Sequence, residues 1–171
     1  MGQPSIVGGD FYWTGSHTFK TLNLPSGAVE PDDIAPGEPG NYIDPTTMRQ
    51  RHKTVYAQDS TTAATTETRA VYTVVGQTAA AVAAQAALIA PCTGNATVTV
   101  DFQIAGTSIL NAPITLSSAN TAREVVVGVI NPAYQDLTVG QIVEVVITAT
   151  AGTGALGSGI VTILQVDEDP V

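Results

Sequence analysis

The sequence predicts an all-β fold: an antiparallel β-sandwich or jelly roll of seven or eight short strands behind an extended N-terminal arm. Three observations predict it. Residues 68–167 are rich in Val, Thr, Ala, Ile and Gly. Apolar and polar residues alternate there over runs of about 4–8, the period of a half-buried strand. Turn residues break those runs at roughly 8–12-residue spacing, as in a sandwich, and no regular helices intervene for a parallel sheet. Residues 1–53 are unlike this, with six of the ten prolines, five of the nine aromatics and no sustained period. The chain therefore divides into an arm over 1–53, a linker over 54–67 and a β body over 68–171.

The arm opens with Phe11, Tyr12, Trp13 and Phe19 among Gly, Ser and Thr. So short a segment cannot bury four aromatics by itself, and such side chains dominate interfaces, so they are candidate anchors in a partner. Residues 21–46 hold five prolines, which favour extended backbone. The run RQRHK follows, placing Arg49, Arg51 and Lys53 together as a candidate contact for an acidic partner surface.

The first body strand is Arg69–Val75, ended by Gly76. Ala79–Ile89 reads equally as helix, by its alanines, or as a strand of small residues. Pro91-Cys92-Thr93-Gly94 is a turn, with Cys92 a half-buried filler. Thr97–Ala105 is the clearest strand: Val98, Val100, Phe102 and Ile104 face one way, Thr97, Thr99, Asp101 and Gln103 the other. Ser108–Leu110 and Ile114–Leu116 are short strands separated by Pro113. Glu124–Ile130 is a strand stopped by Asn131-Pro132. Leu137–Gly140 approaches a turn, Gln141–Ala149 is a long apolar strand, Ala151–Gly159 is a flexible loop, and Ile160–Val166 is the last strand. Asp167, Glu168 and Asp169 form a solubilising end.

Composition narrows the function. Charged residues make up only 12% of the chain, against about 25% in ordinary domains, and neutral polar residues replace them. Such a surface suits contacts between subunits, where charge is depleted. The net charge is −9, and no Lys or Arg follows Arg123. Nucleic acid and anionic membrane are therefore not expected partners. The start lacks a basic, then apolar, signal sequence.

No enzyme, cofactor or metal is expected, and no catalytic residue is assigned. Both histidines, His17 and His52, lie in the arm, so a Ser-His-Asp triad on the body is excluded. Zinc-ligand spacing and phosphate loops are absent. The acid groups Asp32-Asp33 and Asp167–Asp169 fall on segments read as mobile rather than on a rigid frame. Asn95-Ala96-Thr97 matches a glycosylation sequon but reads as a turn entering a strand.

Longer segments carry a resemblance. TLNLPSGAVEPDDI, then RQRHKTVYAQDSTTAATTETRAVYTV, then TVTVDFQIAGTSILNAPITLSSANTAREVVVGVI and LTVGQIVEVVITATAGTGALGSGIVTILQVDED occur in that order. Together they resemble a family of small virion proteins of tailed phages and prophages, over about residues 21–169. The resemblance implies a capsid decoration protein of cement or head-fibre type. It would be made in the host cytoplasm and carried as a homotrimer on the outer surface of the virion, with the major capsid protein as partner. It also favours strand over helix for Ala79–Ile89. Two other readings stand behind it: a host- or glycan-binding head or tail fibre module, and a self-assembling tail or filament subunit. The glycan reading is weak, because few aromatics are available on the body.

Overall fold

The computed structural model describes residues 50–76 and 78–169. They form ten strands and no helix: β1 Gln50–Ala57, β2 Glu67–Thr73, β3 Thr78–Ala90, β4 Thr97–Ile104, β5 Thr107–Ser108, β6 Ile114–Leu116, β7 Val126–Gly128, β8 Asp136–Thr138, β9 Ile142–Thr150 and β10 Ser158–Glu168. Two five-stranded sheets result. The front sheet runs β1-β10-β3, with β7 and β8 both on the far side of β3. The back sheet runs β2-β9-β4, with β5 and β6 both paired to β4. Every pairing is antiparallel. The predicted all-β, two-layer antiparallel fold is the observed one. The strand count exceeds seven or eight because four of the ten strands are only two or three residues long.

The core lies between the sheets. The back sheet fills it with Val98, Val100 and Phe102 from β4 and Val143, Val145 and Ile147 from β9. The front sheet answers with Ile160, Leu164 and Val166 from β10 and with the alanines of β3. Each large aliphatic chain so buried stabilises the fold by about 1.5–3 kcal/mol. Strand β3 shows tertiary context overriding the helix preference of alanine, since β10 pairs with it along nearly its whole length. A bulge at Val82 explains its ambiguous pattern. Ala79 and Ala81 point inward before it and Ala84, Ala86 and Leu88 after it, so the alternation changes phase midway.

Several expectations need correction. Residues 50–57, divided between arm and linker in the sequence reading, are one strand whose eight residues all pair with β10. Strand β2 begins at Glu67, the last residue of the expected linker. Asp101 lies on the outer phase of β4 as expected, yet it is buried there, where Ser108 Oγ (2.6 Å) and Gln103 Nε2 (2.8 Å) both donate to its carboxylate. Of Glu124–Ile130 only Val126–Gly128 is strand, with Ile130 making a lone bridge to Leu110. Cys92 is fully buried: its Sγ donates to the Leu116 carbonyl (3.7 Å) and accepts from the Gly157 N–H (3.3 Å).

The loop before β10 is held down rather than free. Thr93 N–H donates to the Ala155 carbonyl (2.9 Å), and Ala155 N–H donates to Thr93 Oγ1 (2.8 Å). Asn95 Oδ1 accepts from Thr153 N–H and Oγ1, so the sequon asparagine works as a turn clamp. Gly154 packs so closely on the Thr93 backbone that a Cβ there would collide with the carbonyl.

Candidate docking surface

Of the seven expected contact residues, Phe11, Tyr12, Trp13, Phe19 and Arg49 lie outside the described residues. Arg51 and Lys53 are on β1, two residues apart, and so share the outer face of the front sheet. Arg51 is 61% exposed and grips Asp167 of β10 with both ends of its fork, Nε to Oδ1 at 2.7 Å and a terminal nitrogen to Oδ2 at 2.8 Å. Lys53 is exposed. His52, between them, points inward. Its Nε2 lies 3.5 Å from Glu168 Oε2, and its ring centre lies 5.9 Å from that of Tyr72.

Glu168 is therefore no solubilising end. It is buried, and it accepts from Tyr72 Oη and from the Val75 (3.0 Å) and Gly76 N–H groups. These bonds, led by that from Tyr72, hold its carboxyl below the ordinary carboxylate range despite burial. Burial first, then the Glu168 contact, pushes the Tyr72 phenol well above its usual value. The cluster latches front strand β10 to back strand β2 at the end where β1 enters. A second tie across the same side joins Tyr56 of β1 to Glu67 of β2.

The two outer faces differ in kind. On the front sheet, Val55, Ile163, Gln85 and Val127 stand side by side across four strands. Ala57, Val161 and Ala87 form the next row, and Lys53, Gln165 and Ala83 the row on the other side. Val55 is 64% and Val127 62% exposed, and Val125 and Val129 flank Val127 on the same face. Beyond the Ala87 row a shallow hollow of about 240 Å³ is lined by Ala87, Ile89 and Val161, with Arg123 beside it. Charge gathers in one row at the opposite end: Arg51, Asp167, Ala80 and Asp136. On the back sheet the corresponding rows are Thr115-Thr99-Thr148 and Thr97-Thr150, then Asp101-Val146-Thr68 and Gln103-Glu144-Ala70.

A sheet apolar on both faces is normally covered on both, while a sandwich sheet facing water alternates. The front sheet has the first pattern and the back sheet the second. Sequence reasoning missed this face because alternation assigns every second strand residue to solvent. The signal was present: in EVVVGVI and IVTILQV both phases are largely apolar.

Among the described residues no three His, Cys, Asp or Glu side chains gather as metal ligands, and no buried side-chain polar atom lacks a partner. No described helix is long and apolar enough to cross a membrane. These residues assemble a largely uncharged, β-branched and alanine-rich plane bordered by Arg51 and Lys53.

No protein-family model matches the chain, and no curated protein matches it. Among solved structures, a chain of the structure titled "Capsid of Ralstonia phage GP4" is similar, at TM-score 0.46 and 22% identity, over 76% of this chain and 90% of that one.

Proposed function

We propose that the chain is a phage virion structural protein that decorates the outer surface of the capsid and stabilises it. In this reading it is not an enzyme and uses no cofactor. Homotrimers of the β body sit on the major capsid protein, and the segment before β1 is the attachment arm. Phe11, Tyr12, Trp13 and Phe19 are its anchors, and Arg49, Arg51 and Lys53 meet acidic capsid surface. The observation that carries the reading is the front sheet, apolar on its solvent face as well as its core face. A self-sufficient domain has no use for such a plane, and a subunit of a larger assembly does. The ordered run of segments resembling small virion proteins supports the same reading. Many weak copies on one particle, each with a body contact and an arm contact, act together by avidity.

Co-sedimentation with expanded capsids assembled without this chain tests the reading. The full chain is expected to pellet with them. A full-length variant with Phe11, Tyr12, Trp13 and Phe19 all changed to Ala is expected to lose at least about tenfold in affinity. Failure of the unaltered chain to pellet overturns decoration. Equal binding by the variant removes the aromatic anchors from it.

A further inference from the structure

We infer that the outer face of the front sheet is the contact between copies of this chain: a second copy, not the capsid shell, covers Val55, Ile163, Gln85 and Val127. The inference rests on the oligomeric part of the reading above and names the surface it uses.

Charge argues for a copy as occupant. Each chain carries −9, so two copies repel at long range and need a neutral plane to meet. The middle rows of this face hold one charged side chain, Lys53, and the others lie at its margins: Arg123 beside the hollow at one end, and Arg51, Asp136 and Asp167 in the end row at the other. The back sheet carries Glu144 in its rows, and its Asp101 is buried between Ser108 and Gln103.

Area argues the same way. Four strands spaced about 4.8 Å apart, over some nine residue steps of about 3.3 Å with the charged end row included, make a plane of roughly 19 by 30 Å. Two such planes bury on the order of 1,100 Å², just above the roughly 1,000 Å² a specific interface needs.

Relief on the face is self-complementary. Ala83 and Ala87 make two low points along β3 on either side of Gln85, with Val161 and Ile163 taller on one flank and Val127 on the other. A tall side chain from one copy fits a low point of another, and sheets pack face to face in this manner.

Sedimentation velocity and native mass of the full chain test this. The unaltered chain is expected to be oligomeric. Changing Val55 and Val127 together to Glu is expected to shift it to monomer, weakening association by at least about a hundredfold. Changing Thr148 and Thr150 on the back sheet to Glu is expected to leave the oligomer intact. Both valines are more than half exposed, so the monomeric body keeps its circular dichroism.

A second measurement does not depend on a destabilising charge. In a Val127→Cys chain, maleimide labelling is expected to slow as concentration rises through assembly, and in a Thr148→Cys chain to stay constant; the native Cys92 is buried. A monomeric unaltered chain overturns the oligomer and the face together. An oligomer that survives the Val55/Val127 change, or labels Val127→Cys freely, overturns the face alone. Capsid binding is read separately and does not enter either outcome.

Discussion

The front and back sheets bury equivalent inner faces but expose opposite outer ones. Inside, β9 and β10 each contribute a row of fully buried aliphatic residues. Outside, the back sheet shows threonine and the front sheet valine, isoleucine and alanine. Threonine and valine have nearly the same shape and the same preference for strands. Exchanging one for the other leaves the fold alone and changes only what the surface does with water. The difference between the two faces thus changes how each meets water, at little cost to folding.

Substitutions inside and outside the sandwich sharpen that contrast. The largest effects should fall equally on both inner faces: Leu164→Ala in the front and Ile147→Ala in the back each cost about 3 kcal/mol, read from urea unfolding of the monomeric Val55/Val127 variant. A marked asymmetry would mean that one sheet does not need the other. The latch comes next. Glu168→Gln weakens bonds to Tyr72, Val75 and Gly76 and should cost about 2 kcal/mol at neutral pH.

Its pH dependence has a definite sign. The folded Glu168 carboxyl titrates below its unfolded value, so its contribution is full above the ordinary carboxylate range and lost as pH falls through the lowered folded value. Acid unfolding of the Gln variant should therefore fall off less steeply than that of the unaltered chain. A smaller effect on folding, with a visible one on assembly, is expected from making the back resemble the front. Thr148→Val with Thr150→Val should change stability by no more than about 0.5 kcal/mol while adding concentration-dependent association. The smallest effect belongs to Arg51→Ala. The Arg51 side chain is mostly exposed and water screens its charge, so the urea midpoint should move little.

The two-layer antiparallel fold was legible because β4, β9 and β10 carry their alternation plainly. Strand β1 was not legible. Its inner residues, His52, Thr54 and Tyr56, are polar or amphipathic, and its outer ones include two cations, so neither phase looks like a core face. Strand β3 hid behind alanine content and a bulge that reverses its phase at Val82. The role of Glu168 depends on Tyr72, 96 residues earlier, and no local pattern encodes that pairing. Lys53 and Arg51 were singled out by their clustering, and the structure puts both on the outer face of β1. The plane they border was missed because a strand apolar in both phases was read only for its core-facing half.

The way β1 joins the body bears on how load travels. The chain enters the sandwich at Gln50, and all eight residues of β1 are paired antiparallel with β10 in one uninterrupted register. Tension drawn along the strand from that end pulls on those pairs in shear, all at once, rather than unzipping them singly. The Arg51–Asp167 fork sits at the point where the pull arrives. A strand joined this way yields only when all of it slides at once.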